Sequence, residues 1–448
     1  MEQRHDVVLK GATLVNHDGI WDGDIGITGS KISGLGDISV ASAGEIIDIA
    51  GLYVLPGIID SQVHFREPGG EHKEDLESGS RAAVLGGVTA VFEMPNTNPT
   101  TTSADALADK VSRAEDRMFC DFAFYVGATR ENIDELPELE RLRGAAGVKV
   151  FAGSSTGDLL VDDEESLSRI LTKISRRAAF HSEDETRLRE RMDVRREGDP
   201  SSHSEWRDPT AAMQSTERLV RLAHGAGKRI HVLHISTAEE MAFLAKHKDV
   251  ASVEVTPQHL TLSTPEAYEV LGTKAQMNPP IRDVQNRQSL WQGLSTGVVD
   301  VLGSDHAPHT LEEKAEPYPH SPSGMPGVQT LVPVMLDHVN RGKLSLQRFV
   351  DLTSHGPHRI FGIAGKGRIA VGFDADFTIV DLNAERDISD DWIASRSGWT
   401  PFDGRRVKGW PVGTIIRGHR VMWEGEIIAP ARGKPVRFLE APAQLRAT

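Results

Sequence analysis

The sequence predicts an α/β protein: a (β/α)8 barrel of the TIM type with a small β-sandwich domain formed by the N- and C-terminal segments. Three observations predict it. Eight apolar runs of strand length alternate with helix-like segments through the middle of the chain. Both ends share a different texture, of short apolar runs broken by turn residues. Polar residues suited to chemistry collect where the middle runs stop.

Residues 6–49 contain Val7-Val8-Leu9, Ile25-Gly26-Ile27 and Glu45-Ile46-Ile47-Asp48-Ile49, separated by glycine and aspartate. Residues 367–430 repeat that texture with Phe377-Thr378-Ile379-Val380 and the run from Gly413 to Val421. Runs punctuated this way read as β-strands. Neither end alone buries enough for independent stability, so the two are expected to pair. Between them, strand-length runs sit at 52–59, 88–94, 119–127, 147–151, 178–181, 229–235, 250–256 and 298–304. Over 164–175, Leu167, Ile170, Leu171 and Ile174 recur at helical spacing, and the acidic run from Asp162 to Glu165 marks that helix's start. Another helix follows the turn at Asp208-Pro209 and carries Leu219, Val220, Leu222 and Ala223 before Gly225. The link 257–297 is irregular around Asn278-Pro279-Pro280 and reads as a functional loop as well as a helix. The expected domains are a composite sandwich of 1–54 and 366–448, and a barrel of 55–365.

Composition sets outer limits. At about 150 residues per domain, 448 residues fit two or three domains or one large barrel with an accessory unit. A hydrophobic share of 39% with 26% charged residues excludes disorder as the dominant state. Fifty basic against 65 acidic residues leave a net charge of -15, which argues against a nucleic-acid partner. The single cysteine, Cys120, forms no intrachain disulfide and fits a reducing compartment. The N-terminus lacks a signal-peptide core, and no run approaches the ~18–20 apolar residues of a membrane span. A soluble, cytoplasmic protein is the expectation.

In such a barrel, catalytic groups stand at the C-terminal ends of the strands. The first run leads into Asp60-Ser61-Gln62-Val63-His64-Phe65-Arg66-Glu67-Pro68-Gly69, and the second ends in Glu93-Met94-Pro95-Asn96-Thr97. The fourth holds Val148-Lys149-Val150-Phe151, followed by Gly153-Ser154-Ser155-Thr156-Gly157. His181-Ser182-Glu183-Asp184 closes the fifth, and His234-Ile235-Ser236-Thr237 the sixth. The eighth finishes in Gly303-Ser304-Asp305-His306-Ala307-Pro308-His309. Five strands thus deliver Gln62 and His64, Lys149, His181, His234 and Asp305 toward one rim. Singly, each has a plain structural explanation: a hydrogen-bonded histidine (as His231 is read), a lysine that snorkels, an aspartate that caps a loop. Scattered structural residues need not choose one rim, so the joint pattern points to metal. Imidazole nitrogen and carboxylate oxygen suit zinc, with manganese or iron also open.

These residues make the chain resemble the amidohydrolase superfamily and, within it, the cyclic amidohydrolases of the dihydroorotase type. The most specific motifs are His64-Phe65-Arg66-Glu67-Pro68-Gly69, Met94-Pro95-Asn96-Thr97 and Asp305-His306-Ala307-Pro308-His309. Asn278-Pro279-Pro280-Ile281-Arg282 and Gly324-Met325-Pro326-Gly327 support them. The resemblance implies zinc-dependent, reversible hydrolysis of the cyclic amide of dihydroorotate to N-carbamoyl-L-aspartate, a step of pyrimidine biosynthesis. Allantoinase and the hydantoinases or dihydropyrimidinases are the neighbouring activities. It further implies one or two Zn2+ ions, with Lys149 carboxylated to bridge two metals, His64 and Asp305 on one and His181 and His234 on the other. Asp305 becomes the catalytic base and then acid. Arg66, Asn96 and His309 become carboxylate ligands, while Asn278 and the backbone at Ser323 and Gly324 read the ring amides. A homodimer, or association with aspartate transcarbamoylase, is the partner expectation that comes with this resemblance.

Two departures qualify it. Relatives usually carry His-x-His after the first strand, and here Gln62 stands first; a neutral amide is the weaker ligand. Gln258 likewise occupies a position where many relatives have histidine. Some dihydroorotase-like chains are noncatalytic partners of the transcarbamoylase, but those generally lose several ligands. Here Lys149, His181, His234, Asp305 and His64 all remain, which favours an enzyme.

Overall fold

The structure is a computed structural model and describes residues 4–153 and 159–439; the Ser154 to Gly157 part of the loop after Phe151 lies outside these. The N-terminal segment forms strands β1 (His5–Asn16), β2 (Gly19–Thr28), β3 (Lys31–Gly36), β4 (Ala43–Asp48) and β5 (Tyr53–Pro56). The middle follows with β6 (Ile58–Val63), β7 (Val88–Glu93), β8 (Asp121–Gly127) and β9 (Ala145–Phe151). It continues with β10 (Ala179–His181), β11 (Ile230–Val232), β12 (Ala251–Val255) and β13 (Val301–Leu302). The C-terminal segment adds β14 (Phe377–Asp387), β15 (Arg406–Ile416), β16 (His419–Trp423) and β17 (Glu426–Ile427).

Strands β6 to β13 form one parallel sheet in consecutive order. Its ends meet through a bridge between Val63 and His306, and the His64 amide donates to the His306 carbonyl at 2.7 Å. The barrel therefore closes at the rim where Gln62, His64 and Asp305 stand. Alternate residues point inward: Ile59, Ala90, Phe92, Ala123, Tyr125, Ala146 and Ala179 share an interior core, and Ile360 and Phe361 pack into the same cluster. The other faces of the strands pack on helices capped by their own sequence. Asp163 caps the helix Glu164–Lys173, and Asp208 caps Pro209–Gly225 with proline in its first turn.

The termini pair as expected, in one continuous nine-stranded sheet. Its order is β17-β16-β15-β14-β5-β1-β2-β3, with β4 alongside β1. β14 joins the two segments by pairing antiparallel with β5, placing Phe377 opposite Pro56 and Val380 opposite Tyr53. Leu9, Leu14, Ile25 and Val54 from one end share a core with Phe377, Ile379 and Ile415 from the other. The apolar run 52–59 is corrected by the structure: it is divided between two sheets, β5 going to the terminal sheet and β6 to the barrel. Gly57 makes the division, because a Cβ there would come within 2.4 Å of Thr89 Oγ1 and 2.8 Å of Asp376 Cβ.

A buried charge network fastens the terminal sheet to the start of β8. Lys366 Nζ reaches Asp121 at 2.7 Å and also pairs with Asp376, while Arg417 pairs with the same Asp121. Such a network is costly to interrupt, since removing one member leaves an unpaired buried charge. Cys120, next to Asp121, is buried and burial raises its thiol pKa, consistent with an inert packing residue. Among the described residues no helix is long and apolar enough to cross a membrane.

Candidate active site

The barrel strands turn their C-terminal ends toward one cavity of about 100 Å³. Gln62, His64, Arg66, Asn96, Lys149, His181, His234, Asn278, Asp305, Ser323 and Gly324 all line it. His309 stands behind Arg66, with Nε2 at 3.2 Å from the guanidinium Nη2. Six non-glycine residues have positive φ among those described, and three of them are Arg66 at 63°, His234 at 36° and Asp305 at 45°. A backbone conformation that L-residues rarely adopt is thus concentrated at this rim, where it aims side chains inward.

The metal-ligand candidates stand as two pairs. In one, His64 Nε2 lies 3.2 Å from Asp305 Oδ1, which also accepts from Gln62 Nε2 at 2.9 Å. In the other, His181 Nδ1 is 3.0 Å from His234 Nε2. Each imidazole with its far nitrogen engaged is oriented by a side chain behind it. Asn96 Oδ1 is 2.8 Å from His64 Nδ1, and Glu183 Oε2 is 2.9 Å from His181 Nε2. Glu183 also receives Arg207 Nη1 at 2.6 Å, and the Arg207 charge with the His181 hydrogen bond holds its carboxyl well below the usual carboxylate range despite burial. Burial lowers the pKa of His64, His181 and His234, so all three are neutral, the form that ligates metal.

Lys149 shares the cavity with both pairs. It is buried, and burial pulls its pKa down to about 7, against the opposing fields of Asp305 and Glu254. Its Nζ lies 4.5 Å from the centre of the Phe151 ring. No hydrogen bond to Nζ is formed by the described residues. Much of this amine is therefore neutral near pH 7, the state that can add carbon dioxide.

The donor set fits a metal centre, with one qualification. Neutral imidazoles, a carboxylate and the buried Gln62 Oε1, which has no hydrogen-bond partner among the described residues, are the nitrogen and oxygen donors zinc takes. Among the described residues, however, no three His, Cys, Asp or Glu side chains form a ready metal cluster. Two donors per pair are too few, and Lys149 is placed in the cavity with both pairs.

Beside the pairs lies a cationic subsite. Arg66 is held by its Nε–H to the Pro308 carbonyl at 3.2 Å, and burial lowers its pKa only to about 10, so it stays charged. Asn278 Oδ1 is 2.9 Å from His203 Nε2, leaving the Asn278 amide nitrogen for a ligand. Gly324 has φ 137°, and a Cβ there would come within 2.4 Å of the Ala307 carbonyl. Its own amide donates to the Gln276 carbonyl at 2.9 Å and its carbonyl accepts from Lys314 Nζ at 3.1 Å. Ser323 rather than Gly324 therefore has the freer backbone.

Several other quoted positions face elsewhere. Glu93 turns away to a buried ion pair with Lys110. His231 is structural, with Nδ1 2.9 Å from Ser252 Oγ. Gln258 donates to the Ser304 carbonyl at 2.8 Å, bracing the residue before Asp305. Sequence reasoning missed Glu183, His203, Lys73 and Lys314 as supports. Only Glu183 had a signal, a carboxylate two residues after a strand-end histidine and so on the same side of an extended segment.

A family model for the amidohydrolase family matches residues 53–421. The chain belongs to the amidohydrolase family. It is 39% identical to a dihydroorotase of Halobacterium salinarum, over 92% of this chain and 96% of that one. A dihydroorotase of Methanosarcina mazei is 36% identical over 98% and 99% of the two chains. Among solved structures, L-hydantoinase (dihydropyrimidinase) from Arthrobacter aurescens superposes with a TM-score of 0.92 at 30% identity, covering 96% of this chain and 99% of that one. For an amidohydrolase, the chemistry is a metal-dependent hydrolysis.

Proposed function

We propose that this chain is a dihydroorotase, hydrolysing the cyclic amide of dihydroorotate reversibly to N-carbamoyl-L-aspartate. One observation carries the choice among cyclic amidases: the buried, charged Arg66 at the cavity wall, backed by His309. A substrate carboxylate answers that guanidinium by a bidentate fork. A hydantoin or dihydrouracil ring offers it nothing. The relatives named dihydroorotase support the same reading.

On this reading the barrel, residues 55–365, carries the chemistry, and 1–54 with 366–448 brace it. Zn2+ would be held by His64 and Asp305, with Gln62 a weak further donor, and by His181 and His234, with Lys149 as a carbamate the remaining donor. Bound metal supplies a water acidified toward a pKa of about 7 and polarises the ring carbonyl. The chain's own residues do the rest. Asp305 Oδ1 is engaged by Gln62 and His64, so Oδ2, which no described residue bonds, takes a proton from the attacking water and passes it to the leaving ring nitrogen. Arg66, backed by His309, and Asn96 hold the carboxylate, and Asn278 and the Ser323 backbone read the ring. Cytoplasmic location accords with a single, buried thiol.

Arg66→Ala tests the carboxylate role. Loss of a charge-assisted hydrogen bond costs about 1.5–3 kcal/mol, so KM for dihydroorotate is expected to rise roughly 10–100-fold. An unchanged KM, or wild-type turnover of hydantoin or dihydrouracil exceeding that of dihydroorotate, overturns the reading. Gln62 is tested separately. Gln62→His replaces a neutral amide by imidazole and is expected to raise tightly held zinc per chain, counted by metal analysis. No increase would show that position 62 contributes no ligand.

A further inference from the structure

We propose that Lys73 is a positioning residue that sets the tautomer of His309. The ring then gives its Nε2–H to the Ser323 carbonyl, and Arg66 keeps its outer nitrogen for substrate. The inference rests on the carboxylate-binding role given above to Arg66, backed by His309, and it adds a residue to the support of that subsite.

A neutral imidazole has one nitrogen that donates and one that accepts. His309 is neutral, because burial and the surrounding cations Arg66, Lys73 and Lys314 hold its pKa well below the ordinary imidazole range. Both ring nitrogens nevertheless face donors. Nδ1 is 3.1 Å from Lys73 Nζ, and Nε2 is 3.2 Å from Arg66 Nη2. Nε2 also lies 3.1 Å from the Ser323 carbonyl, which can only accept. An ammonium and a guanidinium cannot both be accepted by one neutral ring, so one of them is left over.

The surroundings decide which. Lys73 Nζ is anchored 3.1 Å from Glu313 Oε1, while Glu313 Oε2 accepts the Thr310 amide at 3.1 Å as part of a capping box. His72 Nε2 also approaches Glu313 Oε1, at 3.1 Å. Glu313 Oε2 stands 3.6 Å from Nδ1, too far to take a hydrogen bond from it. Trp399 Nε1 donates to the His309 carbonyl at 2.8 Å, fixing the backbone from the other side. Lys73 therefore donates to Nδ1, the proton sits on Nε2, and the Ser323 carbonyl accepts it. An Nε2–H cannot accept from Arg66, whose Nη2 hydrogens remain for an anionic ligand. Without Lys73 the proton can move to Nδ1. Nε2 then accepts from Arg66, and the guanidinium is engaged inside the protein before substrate arrives.

The test uses full-length protein with 15N-labelled histidine, the His309 signals being identified by their loss in His309→Asn. Wild type is expected to show the Nε2–H tautomer, and Lys73→Met a shift toward Nδ1–H. In the same variant KM for dihydroorotate is expected to rise about tenfold with kcat within twofold, the scale of one hydrogen bond to a charged group. Lys73→Arg, which still donates to Nδ1, should restore both readouts. The Lys73 side chain is 22% exposed and its loss leaves no buried cavity, so the variants fold. An unchanged Nε2–H tautomer in Lys73→Met overturns the proposal, as does a fall in kcat at constant KM. If the wild-type protein does not turn over dihydroorotate, the functional reading fails by itself, and the tautomer measurement still decides the role of Lys73.

Discussion

Lys149→Ala is expected to remove metal and activity together. The wild-type amine sits at the end of β9 with no hydrogen bond from the described residues and a pKa drawn down to about 7 by burial. A structural lysine buried this way would be paired with a carboxylate, as Lys110 is with Glu93. Lys149 is instead placed in one cavity with two donor pairs, His64 with Asp305 and His181 with His234. Catalytic zinc sites take three protein donors, and each pair provides two. On the proposed role of Lys149 in completing both pairs, its removal forfeits several kcal/mol of charge stabilisation, so activity is expected to fall by at least ~10^3-fold. A short carboxylic acid such as propionate, entering the space left by the side chain, should restore part of both metal and turnover. Retention of wild-type metal content in the alanine variant would end the bridging role.

The barrel was legible because its strands are buried on both faces and read as apolar runs between helical patterns. The rim was legible because the same fold places chemistry at strand ends, so Lys149, His181, His234 and Asp305 stood out by position before any distance was known. Other features were not, and for physical reasons. The run 52–59 reads as one strand because hydrophobicity continues across Gly57; only the close approach of Thr89 and Asp376 shows that the chain changes sheets there. Supports such as Lys73 on His309 and His203 on Asn278 join residues 236 and 75 positions apart, through loops and short helices without periodicity. The barrel interior held a further surprise. Glu254 is fully buried, with burial raising its pKa to about 8, and Ser61 is its nearest donor at 3.0 Å. In sequence it is one polar residue within an apolar strand, indistinguishable from an outward-facing one. Gln62 shows the opposite case. Its oddity was visible as a departure from a motif, but only the structure shows that its amide nitrogen binds Asp305 while its oxygen is left without a partner among the described residues.

Asp305→Asn is expected to lower kcat by about 10^3-fold with little change in KM, because general acid–base transfer contributes typically ~10^2–10^4-fold and acts in the transition state. The substitution is nearly isosteric. The introduced amide can keep its oxygen toward Gln62 Nε2, the wild-type contact of 2.9 Å, while the other position becomes an amide nitrogen that cannot take a proton. The backbone at φ 45° favours asparagine about as well as aspartate, so the local conformation is retained. Asp305→Ala differs in kind. It also leaves the buried Gln62 amide nitrogen without its acceptor and takes the carboxylate from beside His64 Nε2, and should lose metal as well as rate. The comparison separates the two duties of one carboxylate. Because no catalyst changes an equilibrium constant, the asparagine variant must lower kcat/KM for ring opening and for ring closure by the same factor at a given pH, measured from dihydroorotate and from N-carbamoyl-L-aspartate. A variant within tenfold of wild type in both directions, or one whose loss falls on KM, would move the proton-transfer role from Asp305 to another group at the rim.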